Sequence, residues 1–191
     1  MKTYTAIGKR VTRADATAKV TGEAKYVADI MLPRMLHGKI LWSNCPHGII
    51  KDIDIAKAEK LEGVKGIVLL KSIGDKVRHH GEIIAAVASD DPYIAQDAVD
   101  LIKVTYEELP AVFDPVEAMK PDAPLIHEGN PGNVSGSTEH HYGDTEKGFQ
   151  EADYVFEDTY KIGMGHQGYM ETHGAVAQFD LSGEITVWTS T

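Results

Sequence analysis

The chain has 191 residues, room for one domain or for one domain and part of a second at roughly 100–200 residues each. Apolar residues make up 42% and charged residues 25%, which argues against wholesale disorder. The formal charge is −10, from 29 acidic and 19 basic residues; such a surface repels phosphate backbones and argues against a nucleic-acid partner.

The single cysteine, Cys45, cannot form an internal disulfide, so an oxidising compartment is not implied. One thiol also excludes an iron–sulfur cluster or a cysteine-based zinc site held by this chain alone. The start, Met1-Lys2-Thr3-Tyr4-Thr5, lacks the apolar stretch of a signal peptide. No apolar run approaches the ~18 residues of a membrane span. The expectation is a soluble cytoplasmic protein with no membrane partner.

In chain order, residues 1–30 are polar and mixed, with Thr21-Gly22 as a turn signal. Leu36–Ser43 reads as a strand, broken by Asn44-Cys45-Pro46-His47-Gly48, and Ile49–Asp54 as another. Asp54 caps a short predicted helix through Leu61, with Gly63 as its stop. Val64–Leu70 is a buried-strand candidate. Ile83–Ala88 is the next strand, and Asp91-Pro92 opens a helix with Ile94, Ala95, Ala98, Val99 and Ile102 on one face. Val104 and Tyr106 begin a further strand that ends at Leu109-Pro110. Two strand–helix–strand units therefore lie within residues 1–119.

Residues 120–142 gather Pro121, Pro124, Gly129, Pro131, Gly132 and Gly136, which reads as a linker or extended connection. Asp144 then caps a short helix through Ala152. Tyr154, Phe156, Tyr160 and Ile162 fall at even positions, the period of a half-buried strand. Gly174–Phe179 and Glu184–Thr189 are two more strands around a Leu181-Ser182-Gly183 turn. Residues 143–191 thus form a β-rich region that stops directly after a strand, with no closing element. The strand over Glu184–Thr189 is expected at an exposed edge, open to self-association.

Several residues invite a chemical reading. Gly163-Met164-Gly165-His166-Gln167-Gly168 matches the dinucleotide fingerprint by letter, but that motif needs a strand before it and a helix after it, and a turn into a strand follows. His79-His80 and His140-His141 are adjacent pairs whose rings point apart on a strand, so neither chelates by itself. Glu171 and His173 share a strand face at i, i+2 as an acid/base pair would, but no nucleophile accompanies them. Asp153, Glu157 and Asp158 read as surface charges, and Cys45 as a free structural thiol rather than a reactive one. No complete active site emerges.

Several segments together resemble the large subunits of the xanthine dehydrogenase/aldehyde oxidase family. The N-terminal part is Ile7-Gly8-Lys9-Arg10-Val11 with Arg13, Asp15 and Lys19-Val20-Thr21-Gly22-Glu23-Ala24-Lys25-Tyr26, continued by Asp29, Leu32-Pro33, Met35-Leu36-His37 and Ser43. Gly81-Glu82-Ile83-Ile84-Ala85-Ala86-Val87, Ala95, Ala98 and Val104-Thr105-Tyr106-Glu107-Glu108-Leu109-Pro110-Ala111 resemble the second half of an α/β-hammerhead domain. Gly143-Asp144, Phe149, Ala152-Asp153, Met170-Glu171-Thr172-His173 and Val187-Trp188-Thr189-Ser190-Thr191 resemble the opening of a molybdopterin-binding domain.

The resemblance implies an α+β fold: a hammerhead domain over 1–119, a linker over 120–142, and over 143–191 the incomplete, β-rich start of a molybdopterin-binding domain. It implies a molybdenum–pterin cofactor in the full-length subunit, with none bound by this chain alone. It implies hydroxylation of a carbon beside a ring nitrogen or in an aldehyde, with electrons passing to iron–sulfur and flavin subunits. A purine or other heterocycle is the preferred substrate over an aldehyde or carbon monoxide. In the family a glutamine near the metal follows the Trp-Thr-Ser-Thr-like run, and this sequence stops at Thr191; the base glutamate and most pterin contacts lie further on. No residue here is therefore given a catalytic, cofactor-binding or metal-ligating role. The segment between Leu70 and Val77 is also shorter than in the family. The implied partners are the remaining molybdopterin-domain polypeptide and the iron–sulfur and flavin subunits. The competing reading is a stand-alone, non-catalytic binding or assembly module with a hammerhead fold.

Overall fold

The computed structural model describes residues 4–190, and the chain divides into two units. One joins the segment through Pro33 to the chain from Phe156 onward; the other runs from Arg34 to Val155. The first unit is thus made of two separate stretches of the chain. No helix among the described residues is long and apolar enough to cross a membrane.

The N-terminal segment contributes a short helix, α1 (Ala16–Thr21), and a 3-10 turn at Val27–Asp29, where the Asp29 carboxylate accepts the Tyr26 backbone N–H at 3.0 Å. Neither was evident from apolar periodicity, since neither contains a buried residue.

The central unit holds β1 (His37–Trp42), β2 (Gly48–Asp54), α2 (Ala56–Glu59), β3 (Val64–Leu69), β4 (Lys76–Val77), β5 (Ile83–Ser89), α3 (Pro92–Leu101), β6 (Lys103–Glu108), α4 (Pro115–Ala118) and α5 (Thr145–Glu151). Its strands form two three-stranded sheets, β1-β5-β3 and β4-β2-β6, with every pairing antiparallel. Both strand–helix–strand units cross between sheets: α2 carries the chain from β2 to β3, and α3 from β5 to β6. Helices beside antiparallel sheets make the architecture α+β rather than a parallel α/β wind.

The local signals act as expected. The Asp91 carboxylate accepts the Tyr93 and Ile94 backbone N–H groups at 2.7 and 3.3 Å, and Pro92 occupies the first helical turn of α3. The predicted face of α3 buries Ala95, Ala98, Val99 and the following Ile102, the last three against Ala58, Ala85 and Val87. A second cluster, Ile50, Val77 and Ile84, lies between the two sheets. Leu41, Ile53 and Val104 touch both clusters and join them into one core. Loss of a side chain such as Ile84, which is fully buried, costs about 2–5 kcal/mol on truncation to alanine.

The connection expected over 120–142 is partly built in. Asn133 is a clamp: its amide oxygen accepts the Ile126 N–H at 2.9 Å, and its NH2 donates to the Ala118 and Pro124 carbonyls at 2.9 and 3.0 Å. Arg78 adds a bond from Nε to the Ile126 carbonyl, and Lys76 pairs with Glu128. The proline–glycine composition here marks an ordered loop through Asn133, and no helix or strand follows until α5.

The strand predicted over Tyr154–Ile162 does not form; residues 152–174 carry no helix or strand. Tyr154, Phe156, Tyr160 and Ile162 are all more than four-fifths exposed. Alternation prepares a strand to pair, but among the described residues no strand pairs with this segment. The hairpin does form, as β7 (Ala175–Phe179) and β8 (Ile185–Thr189), paired from Ala175↔Thr189 to Phe179↔Ile185. Asp180 organises its turn by accepting the Ser182 and Glu184 backbone N–H groups and the Ser182 hydroxyl. These bonds hold the Asp180 carboxyl below its usual range, the Ser182 hydroxyl contributing most.

Candidate functional site

The unit that holds β7 and β8 has the more open surface. None of its described residues is buried, and among the described residues each of its two strands pairs only with the other. Within the ribbon, Ala175, Ala177, Phe179, Ile185 and Val187 share one face with Thr189, as the pairing register and strand alternation require. Phe179 is 71% exposed, Ile185 63% and Val187 54%.

Two adjoining clefts lie in this unit. One, of about 610 Å³, runs between the Tyr26–Asp29 turn and Met170–Ala175. The other, of about 580 Å³, lies between the same turn and Val187–Ser190. Glu171, Tyr26 and Val27 wall both. Glu171 makes no hydrogen bond or ion pair among the described residues. Its expected partner His173 is engaged elsewhere: the ring stacks on Tyr169 at 4.9 Å and 8°, and Tyr169 also meets His166 at 4.9 Å. Glu171 and His173 are therefore not brought together as an acid/base pair.

The glycine run Gly163–Gly168 has no strand directly before it and no helix directly after it, so the dinucleotide context is missing. His166 takes part in a local turn instead, its Nδ1 accepting the Gly168 N–H at 3.0 Å. His79 and His80 lie outside the core, and His79 Nδ1 bonds the His80 carbonyl at 3.1 Å. His141 lies 3.1 Å from the Glu139 carboxylate on an exposed segment that also carries His140. Asp153, Glu157 and Asp158 are exposed as expected. No three His, Cys, Asp or Glu side chains converge on a metal-sized point among the described residues.

Cys45 is free and buried in the central unit, in a packed polar loop. The Ser43 hydroxyl accepts the Cys45 N–H at 3.0 Å and donates to the Cys45 carbonyl at 3.1 Å. The His47 ring donates through Nδ1 to the Pro110 carbonyl at 2.6 Å, which leaves the buried Nε2 unpartnered. Burial raises the Tyr106 hydroxyl above its usual range, opposed by a hydrogen bond with Ser43. Gly48 packs so tightly here that a Cβ would lie 2.8 Å from Cys45 Sγ and 2.9 Å from the Glu107 carbonyl. This loop locks β2 onto β6 and presents no reactive thiol.

Sequence reasoning missed that the Tyr26–Asp29 turn and Glu171 wall one cleft, for nothing local links positions so far apart. The only hint was the apolar run at Tyr26-Val27-Ala28 inside a polar segment.

Residues 21–74 and 69–110 match the aldehyde oxidase and xanthine dehydrogenase a/b hammerhead domain, and residues 126–191 match the molybdopterin cofactor-binding domain. The chain is 39% identical over 196 residues to a probable xanthine dehydrogenase subunit of Bacillus subtilis (strain 168), covering 94% of this chain and 26% of that subunit. It is 33% identical over 207 residues to the nicotinate dehydrogenase large molybdopterin subunit of Eubacterium barkeri, covering 100% of this chain and 48% of that one. Its fold superposes on quinoline 2-oxidoreductase from Pseudomonas putida 86 with a TM-score of 0.84 at 31% identity, over 97% of this chain and 27% of the other. Against these three relatives the chain spans between about a quarter and a half of their length.

Proposed function

Because the chain belongs to the xanthine dehydrogenase/aldehyde oxidase family and corresponds to the N-terminal part of its large subunit, we propose that it supplies the hammerhead domain and first β-ribbon of a molybdenum hydroxylase, and that catalysis needs the polypeptide corresponding to the rest. One observation carries this reading: the fold coincides over 97% of this chain with only 27% of a solved relative. The unit without a buried residue supports it further, since a two-stranded ribbon with an exposed apolar face is seldom stable by itself. That weighs against a stand-alone binding module.

The match of residues 126–191 to the molybdopterin cofactor-binding domain supports a cofactor in the complete subunit, and no residue of this chain is given a contact to it. No step of a hydroxylation is therefore assigned to a side chain of this chain. The complete subunit would hold the molybdenum–pterin group, and iron–sulfur and flavin subunits would take its electrons. Xanthine, nicotinate and quinoline enzymes among the relatives favour a purine or other nitrogen heterocycle as substrate.

The test is complementation. This chain is co-expressed with the part of the Bacillus subtilis xanthine dehydrogenase subunit outside its match, together with that enzyme's partner subunits. The expected result is a stable complex whose xanthine- or nicotinate-dependent dye reduction needs both polypeptides. Turnover by this chain alone, or failure of the two polypeptides to associate, would refute the reading.

A further inference from the structure

A cavity of about 190 Å³ lies in the central unit, between the turn that joins β4 to β5 and the chain that follows β6. Pro46, His79, His80, Phe113 and Ile126 give it flat or apolar walls, and Arg78 adds a guanidinium. Arg78 is held at that wall, its Nε donating to the Ile126 carbonyl at 3.2 Å with 29% of the side chain exposed. Its terminal NH2 groups make no hydrogen bond among the described residues. The acids nearby are engaged elsewhere. Glu82 pairs with Lys71 at 2.6 Å, and Glu128 pairs with Lys76 while standing 3.7 Å from Arg78. Asp114, next to Phe113, accepts the Val116 and Glu117 backbone N–H groups at the start of α4. Two ammonium groups thus answer Glu82 and Glu128, and the Arg78 guanidinium remains unmatched on a chain whose net charge is −10.

A guanidinium at a half-buried wall is best satisfied by an anion with two acceptor oxygens, and a carboxylate fits its fork. Size and walls narrow the class further. An apolar cavity of about 150 Å³ holds one benzene ring, so this volume takes a single ring with a small substituent. It falls short of the roughly 300–1,000 Å³ of sites for larger ligands. The Phe113 ring, 85% exposed, and the two imidazoles offer faces on which a flat ring stacks. We propose that this cavity binds a single-ring aromatic carboxylate, with its ring against Phe113 and its carboxylate on Arg78. The site lies wholly in the central unit, so its occupancy is independent of whether further polypeptide completes the β7–β8 ribbon.

The experiment titrates the full chain with benzoate, followed by calorimetry and by amide NMR shifts. Saturable binding is expected with a dissociation constant of about 1 mM or tighter, and with the largest shifts at His79, His80, Val112 and Phe113. Arg78→Gln and Phe113→Ala should each weaken it about tenfold. Phe113 is exposed, so its replacement spares the core, and circular dichroism verifies the fold of both variants. Cyclohexanecarboxylate keeps the charge but loses the flat ring, and it should bind several-fold more weakly than benzoate. Inorganic phosphate is the control for a general anion. Absence of saturable benzoate binding would overturn the site, as would unchanged affinity in either variant. Phosphate or cyclohexanecarboxylate binding as tightly as benzoate would overturn the aromatic carboxylate as its ligand.

Discussion

Asn133 should be the residue on which the order of the 118–133 loop depends. It makes three hydrogen bonds, to Ile126, Ala118 and Pro124, from a backbone at φ 56°, in the left-handed region that asparagine tolerates better than most residues. At about 0.5–1.5 kcal/mol net per bond, Asn133→Ala loses roughly 2–4 kcal/mol, to which alanine at positive φ adds ~1 kcal/mol. Asn133→Gly loses the same bonds without the conformational cost, so the difference between the variants isolates the backbone contribution. Both predictions are upper bounds on global stability, because the loop can open before the two sheets separate. The assay is urea unfolding with amide hydrogen exchange read at Ile126. The expected outcome is faster exchange at Ile126 in both variants, a lower urea midpoint in Asn133→Ala than in Asn133→Gly, and unchanged protection in β5. Wild-type exchange at Ile126 in Asn133→Ala would refute the clamp.

Three further outcomes follow from the packing and charge. Gly48→Ala places a methyl group 2.8 Å from Cys45 Sγ and 2.9 Å from the Glu107 carbonyl, so it should destabilise by about 1–3 kcal/mol in thermal melting; adding Cys45→Ala relieves the sulfur contact and restores part of the loss, and a wild-type melting temperature in Gly48→Ala would contradict this geometry. Burial pushes the Glu82 carboxyl up, but the Lys71 ammonium at 2.6 Å and the Arg78 backbone N–H outweigh it and hold the group below its ordinary 4.5. A lowered folded pKa stabilises the fold above 4.5, and that contribution is lost as the pH falls through the folded value; Lys71→Met should therefore shift the acid limb of urea stability to higher pH, whereas an unmoved limb would show the pair to be inert. Limited proteolysis should cut first between about residues 135 and 143, the exposed stretch after the Asn133 clamp, and primary cleavage within 83–106 would overturn the assignment of a compact central unit.

What could be read from the sequence was whatever a few neighbouring residues decide. Asp91-Pro92 caps α3 whether or not the sheets are present, and the turn around Leu181-Ser182-Gly183 closes β7 on β8 through Asp180 alone. The apolar spacing on α3 named the face that packs on β5. Long-range decisions were less legible. The two-residue β4 is a strand only because β2 lies beside it. Asn133 looks like any turn asparagine until three partners from 7 to 15 residues away arrive at its amide. The proline–glycine composition of 120–142 did not reveal which part of that stretch is tied down.

The same limit explains the candidate site. The apolar run Ile83–Ala88 predicts a buried strand, and Glu184–Thr189 predicts another strand. In β5 the prediction is fulfilled within the chain: Ala85 and Val87 meet α3, and Ile84 meets the second sheet. In β8 the register is formed and the alternation is present, yet Val187 remains 54% exposed. A face patterned for burial but left exposed supports the proposed reading that further polypeptide packs there.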